Sequence, residues 1–389
     1  MFYPAHLNIQ EQKCLVVGGG VVAERKVVSM LLSGGTVTLI SPETTALLKD
    51  LAQIGQITWY KRQFEPNDTD GMFLVSAATD LPTVNTQVFK EAYQVNKIRL
   101  VNVVDVIPEC TFAAASVVTF GNLMISISTS GKSPAIARRI REYLETKLGV
   151  DSLYTEAQKT PDTVPIENRR LPYPVYLLLK NRQCVVIRTP GRMTRGIVQR
   201  VELLRRCGAS VVERPPAVVQ PDSLSEVFLV LTDLVDEDTP LTDNRLQLVE
   251  HLNEPDTGTF ITPLLVIDGG LIISISTQSD QITDKTEARQ LRSELAEAFE
   301  QSGYGAFIDY LGSLRAAVRK SIPTQEERGA FFDTLIDQVP RSECGVEQCC
   351  LGFTNADCTT ECAFNLVRHG QVERMREYAF QQLRQVQRL

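Results

Sequence analysis

The stretch CLVVGGGVVAERKVVSMLLSGG, Cys14 to Gly35, sets a short apolar run, three consecutive glycines and a segment with Val, Met and Leu at helical spacing in direct succession. That order predicts a strand over KCLVV, a turn at Gly18, Gly19 and Gly20, and a helix from Val21 to Leu32 ended by SGG. A strand, a glycine turn and a helix open a dinucleotide-binding unit. Gly18 permits the tight turn, Gly20 lets a pyrophosphate approach the backbone, and small Ala23 allows close packing of helix on strand. Phosphates would rest on the helix N-terminus, Val21 and Val22, where unpaired N–H groups and the dipole favour anions. The competing reading is a turn that merely needs positive φ at glycine. Ser41, with Glu43 just beyond, ends the second strand in place of the usual ribose-binding acid, so this rule leaves NAD and NADP open.

Outward from this turn, TVTLIS, GMFLVSAAT, IRLVNVVD and LMISISTS read as further strands and VNTQVFKEAYQVN as a helix. Strands alternating with helices predict a Rossmann-like parallel sheet covered by helices. SGKSP then leads into the basic amphipathic helix AIARRIREYLETKL.

From Tyr173 the chain starts again. YPVYLLLKNRQCVVIRTPGRMTRGIVQRVELLRRCGASVVE repeats the plan of Tyr3 to Ser41, and FLVLTD, TFITPLLVIDGGLIISISTQ and EARQLRSELAEAF follow in the order of their first-half counterparts. Several ordered blocks at matching spacing indicate an internal duplication. The expected organisation is a first α/β domain over 1–149, a polar, proline-bearing linker over 150–171, a degenerate duplicate over 172–302, and a helical domain over 303–389 with a cysteine-rich segment at 344–362.

The chain has 389 residues, 43% hydrophobic and 22% charged, with a formal net charge of −7. The acidic balance argues against nucleic-acid binding. No apolar run reaches the roughly 18–20 residues of a membrane span. The first residues carry no secretion signal, which sets the expectation of a cytoplasmic protein.

The segments VVGGGVVAERKVVSMLLSGGTVTLISP, LVSAATDLPTVN, LVNVVDVIPECTF and ISISTSGKSPAIARRIREYLE, in that order, resemble the precorrin-2 dehydrogenase family, the siroheme-synthase module that makes sirohydrochlorin and in some members also inserts iron. The resemblance covers Met1 to about Gly149. More weakly, YLGSLRAAVRKSIPTQEERGAFFDTLI looks like the helical domain that helps form that family's substrate cleft and dimer. What this implies is NAD-dependent oxidation of the tetrapyrrole precorrin-2, with ferrochelatase activity as a second function of the bifunctional members. Asp105 matches the family's acidic catalytic residue, a proposed general base; residue type and place alone favour a turn-initiating Asp after a strand, and the family match reverses that. Thr79 and Asp80 would border the nicotinamide side, and Asn102 would order the loop before Asp105. Ser128, Ser130, Lys132 and Ser133 would surround a substrate carboxylate at a helix N-terminus, with Arg138, Arg139 or Arg141 on the following turns. The alternative for the arginines is a solvated helix face.

The second copy departs at these positions. Arg188, Thr189 and Pro190 stand for the three glycines, Asn253 stands opposite Asp105, and QSDQITDK replaces the SGKSP turn. The expectation is a nucleotide-free copy that packs against the first and stands in for a dimer partner, so that the protein is a homodimer or a single-chain pseudo-dimer. Near the C-terminus, Cys344, Cys349, Cys350, Cys358 and Cys362 are candidates for an iron-sulfur cluster or another thiolate-bound metal, with His369 as an extra ligand, although their spacing matches no usual zinc or ferredoxin run. Reactive or structural thiols are the alternative. The competing function is a non-catalytic tetrapyrrole-, iron- or redox-sensing protein on the same fold.

Overall fold

The computed structural model describes residues 1–104, 106–150, 171–189, 191, 194–224, 226–234, 247–277, 282–300, 302–336 and 363–386. The first copy runs β1 (Tyr3–Leu7), β2 (Lys13–Val17), α1 (Val21–Leu32), β3 (Thr36–Ile40), α2 (Ala46–Gln53), β4 (Ile57–Tyr60), β5 (Leu74–Ala77), α3 (Pro82–Phe89), β6 (Leu100–Val103), β7 (Phe112–Ala114), β8 (Ser116–Phe120), β9 (Leu123–Ser128) and α4 (Pro134–Leu148). The second runs β10 (Tyr173–Leu177), β11 (Gln183–Ile187), α5 (Arg195–Arg206), β12 (Ser210–Arg214), β13 (Leu229–Thr232), β14 (Leu248–His251), β15 (Phe260–Ile261), β16 (Leu264–Asp268), β17 (Leu271–Thr277) and α6 (Ile282–Phe299). Among the described residues that follow are the helices α7 (Tyr304–Ser321), α8 (Gln325–Ile336), α9 (Ala363–Arg368) and α10 (Val372–Val386).

The chain divides into two compact units that cut across the repeat: Met1–Ala114 with Ser152–Pro263, and Ala115–Asp151 with Leu264–Leu389. In the first unit, β4-β3-β2-β5-β6 and β12-β11-β13-β14 are parallel sheets. Their central strands β2, β5, β11 and β13 read as largely apolar runs because they are buried on both faces, as the inner strands of parallel sheets are. Leu15, Val17, Val75, Val101 and Val103 fill the first core, and Val185, Ile187, Val230 and Val249 the second.

A third sheet, β15-β1-β10-β7, joins the copies reciprocally. β1 lies antiparallel to β10 with Ala5 opposite Val175, the residue in its own place in the repeat. β7 of the first copy pairs with β10 of the second, placing Phe112 opposite Leu177. β15 of the second copy pairs with β1 of the first, placing Phe260 opposite Leu7. Each copy therefore completes its neighbour's edge, which leaves fewer backbone groups unpaired.

The second unit repeats the device. Its sheet β16-β17-β9-β8 is antiparallel, and β9 meets β17 with Ser126 opposite its counterpart Ser274, their hydroxyls hydrogen-bonded. One core holds Ile125, Ile127, Ile136, Ile140, Ile273, Ile275, Phe299, Phe307, Leu311 and Phe364. Pairing of equivalent residues is the signature of a two-fold relation, here within one chain in each unit. The predicted helix VNTQVFKEAYQVN changes winding, α3 passing into a π-helical stretch over Lys90–Val95.

Candidate functional site in the first copy

The glycine turn is shaped by the protein's own backbone on two sides and open on the third. Gly18 has φ +111°, and a Cβ there would lie 2.3 Å from the Ala78 carbonyl oxygen. A Cβ on Gly19 would lie 2.0 Å from the Glu43 carbonyl oxygen and 2.8 Å from Ser41 Oγ. Around Gly20 a Cβ would meet nothing within 4 Å. Gly20 is also the N-cap of α1 and has no side-chain cap, so the first N–H groups of the helix, at Val21, Val22 and Ala23, are not taken by a capping side chain. Bare amides beside open space at a helix N-terminus fit a dinucleotide pyrophosphate. Val21 and Val22 are exposed, whereas Ala23 is buried against the strands.

The β3–α2 connection folds onto this turn. The Thr45 N–H donates to the Gly19 carbonyl at 3.0 Å, Ser41 Oγ donates to the Glu43 carbonyl at 2.6 Å, and the Thr45 hydroxyl donates to the buried carboxylate of Glu24 on α1. Trp59 Nε1 donates to the Ser41 carbonyl at 3.0 Å. Ser41 is thus buried and spends its hydroxyl on the loop. On the other flank, Asn85 holds the turn after β5: its Oδ1 accepts from the Thr79 N–H (3.2 Å) and pairs with Thr79 Oγ1 (2.8 Å), and its Nδ2 donates to the Thr79 carbonyl (2.9 Å). Asp80 is exposed. Asn85 was not among the expected site residues; it sits on α3, three residues after Pro82, and nothing local marks it.

Asn102 lies on β6, 8% exposed, and links three elements. Its Oδ1 accepts from Lys26 Nζ on α1 at 2.5 Å, and its Nδ2 donates to the Phe112 carbonyl at 3.0 Å. The Cys110 thiol packs beside it and donates to the Val103 carbonyl at 3.1 Å. Desolvation pushes the Lys26 ammonium down to about 8, against a smaller opposing effect of Cys110. Asp105 lies outside the described residues.

In the second unit, the turn before α4 is engaged with its own surroundings. Ser133 caps α4 by accepting from the Ile136 N–H at 3.5 Å, Ser128 Oγ accepts from the Ser130 N–H at 3.1 Å, and Ser130, with φ +51°, donates its hydroxyl to the Gly270 carbonyl at 3.2 Å. Lys132 Nζ pairs with Asp309 at 2.6 Å and Arg138 with Asp333 at 2.9 Å. Both ion pairs are substantially exposed and so contribute only about 0–1 kcal/mol each.

The second copy's turn differs in length as well as in composition. Three residues separate β2 from α1, and seven separate β11 from α5. Arg188 Nε pairs with Glu213 at 2.8 Å, and the Thr189 N–H donates to Asp233 Oδ1 at 3.3 Å. Asp233 directly follows β13 as Ala78 directly follows β5, so a carboxylate from the chain itself accepts from the turn. Asn253 Nδ2 donates to the Asp233 carbonyl. Pro190 lies outside the described residues, as do all five C-terminal cysteines. Among the described residues no group of three or more His, Cys, Asp or Glu side chains is placed to hold a metal ion, and no helix is long and apolar enough to cross a membrane.

The first copy holds a parallel α/β sheet, and residues 5–116 match the family model described as putative NAD(P)-binding. Residues 121–147 match the model of the sirohaem biosynthesis protein central domain. The chain is 40% identical over 147 residues to a siroheme synthase of Photorhabdus laumondii, covering 38% of this chain and 31% of that protein. It is 42% identical over 144 residues to a siroheme synthase of Methylobacillus flagellatus, covering 37% and 30%. A solved precorrin-2 dehydrogenase, SirC, is 27% identical over 39% of this chain and 73% of its own, with a TM-score of 0.33. Over these N-terminal residues the chain is similar to siroheme synthases. It spans about three-tenths of the length of the curated relatives it matches.

Proposed function

We propose that the protein oxidises precorrin-2 to sirohydrochlorin, using NAD bound by the first copy. The observation that carries this reading is the turn at Gly18–Gly20, where the backbone forbids side chains at Gly18 and Gly19 while the Gly20 side stays open beside uncapped helix amides. Kinship with siroheme synthases over the same residues supports the substrate assignment. Residues 41–45, Ser-Pro-Glu-Thr-Thr, offer no basic side chain to a 2′-phosphate, which favours NAD over NADP.

NAD, when bound, accepts the hydride that leaves the reduced ring. The chain's own tasks are to hold the ring and to take the proton lost with that hydride. Asp105 is assigned as the general base. Lys132 and Arg138 are assigned to ring carboxylates, because their exposed ion pairs exchange partners at little cost. The second copy is assigned no nucleotide, since Asp233 already presents an anion to its turn. Its role is that of a partner subunit, supported by the reciprocal pairing of β7 with β10 and β15 with β1. The C-terminal thiols are assigned to a metal or iron-sulfur cluster, which iron and sulfide analysis of protein purified without oxygen tests. Iron insertion into the product is a further activity assigned on kinship alone.

The test of the main reading is anaerobic incubation of purified protein with precorrin-2 and NAD. The expected result is NADH absorbance growing with the sirohydrochlorin spectrum. Absence of NADH while the substrate stays intact rejects the dehydrogenase.

A further inference from the structure

The two copies place a cation at the same point and treat it differently. Lys26 is the sixth residue of α1 and Arg200 the sixth of α5; Asn102 is the third residue of β6 and Glu250 the third of β14. In the second copy Arg200 Nε meets Glu250 Oε1 at 3.0 Å, and the two Glu250 oxygens also accept from the Thr262 N–H (2.8 Å) and hydroxyl (2.7 Å). Its charge is balanced inside the protein. In the first copy the partner is a neutral amide. Lys26 Nζ has Asn102 Oδ1 as its one hydrogen-bond acceptor among the described residues, although an ammonium carries three donors. Residue 26 keeps partial solvent exposure.

We propose that Lys26 is a carboxylate-binding residue of the first copy, held in place by Asn102 and, among the described residues, left without a counter-charge, so that an anionic side chain of the substrate ring supplies it. The asymmetry is the argument. A lysine serving only to tie α1 to β6 would be better satisfied by the glutamate that the second copy has at the same place, because desolvating a charge without a counter-ion is costly. The uncompensated form sits in the copy that keeps the open glycine turn, on the strand whose end leads to Asp105. The titratable groups of the elements that meet here are Cys110, whose thiol burial pushes up, Glu109, which accepts from Thr86, and on α1 itself Arg25 and Glu24, the latter bonded to Thr45.

The inference rests on the reading of the substrate as a polycarboxylate ring, and its test is independent of turnover. Full-length protein is titrated with uroporphyrin, a stable octacarboxylate ring, and with its octamethyl ester, by fluorescence; NAD affinity and thermal midpoint are measured on the same samples. Asn102→Glu, which recreates the second copy's internal pairing, and Lys26→Met are each expected to weaken uroporphyrin at least tenfold, leaving NAD affinity within twofold and the ester unaffected. Lys26→Arg is expected to stay within threefold of wild type. In wild type, uroporphyrin affinity falls as pH rises through about 8, where the ammonium is lost, and Lys26→Arg lacks that fall. Unchanged uroporphyrin binding in Asn102→Glu overturns the proposal, as does a loss shared equally by NAD and ester, which marks a structural role. If wild type fails to oxidise precorrin-2 while these shifts appear, the dehydrogenase reading fails and the carboxylate site stands.

Discussion

Alanine at Gly19 and at Gly20 separates the fold of the turn from its function. At Gly19 the added Cβ would stand 2.0 Å from the Glu43 carbonyl and 2.9 Å from Thr44 Cα, both backbone atoms of a connection pinned by the Thr45 N–H to the Gly19 carbonyl. Such an overlap is relieved only by moving the β3–α2 loop, at a cost of about 3 kcal/mol, in the upper range of overpacking. For a folding unit of about 150–250 residues that corresponds to a fall of roughly 6–12 °C in thermal midpoint. At Gly20, φ is −80° and the space is empty, so alanine replaces only a glycine N-cap, costing about 1 kcal/mol or less. The methyl group instead projects where the pyrophosphate is proposed to lie. The expected result for Gly20→Ala is a midpoint within about 4 °C of wild type and at least tenfold weaker NAD binding, about 1.4 kcal/mol. Calorimetric titration with NAD alongside thermal unfolding reads both. A stable Gly20→Ala protein with unaltered NAD affinity refutes the placement of the phosphates.

Asp105→Ala is expected to keep the fold and NAD binding while slowing turnover about 100- to 10,000-fold, the usual range for losing a general base; undiminished turnover removes the assignment. Equilibrium dialysis is expected to find one NAD per chain, because the second turn already receives the Asp233 carboxylate; two equivalents contradict the reading of that copy. His6, 1% exposed on β1, is held neutral by burial, its value falling from 6.5 to about 3. The unfolded chain binds that proton first, so stability drops as pH falls below 6.5, by on the order of 4–5 kcal/mol at pH 3 from this group. Chemical denaturation of wild type and His6→Gln across pH 3–7 checks this; equal slopes in the two proteins contradict it. Sedimentation at micromolar concentration is expected to give the mass of one chain, and a stable dimer speaks against the second copy as internal partner.

The parallel sheets and the repeat were legible because their signals are local: apolar runs for strands buried on both faces, and glycine where φ must be positive at Gly18. The exchange of β7 and β15 between copies was not, since two- and three-residue strands carry no periodicity and their partners lie 60 or more residues away in the first case and over 200 in the second. Lys26 reads locally as one more charge on an amphipathic helix. Only alignment of the copies, Lys26 with Arg200 and Asn102 with Glu250, exposes the missing carboxylate. Likewise Asp233 shows no motif, and its contact with Thr189 depends on how β11 and β13 lie side by side.

A crystal structure of the protein soaked with NAD bears most directly on the account. It is expected to show pyrophosphate density against the amides of Val21 and Val22 on the open side of Gly20, and none between β11 and α5. Density in the second copy, or a clear first turn at saturating NAD, would contradict it.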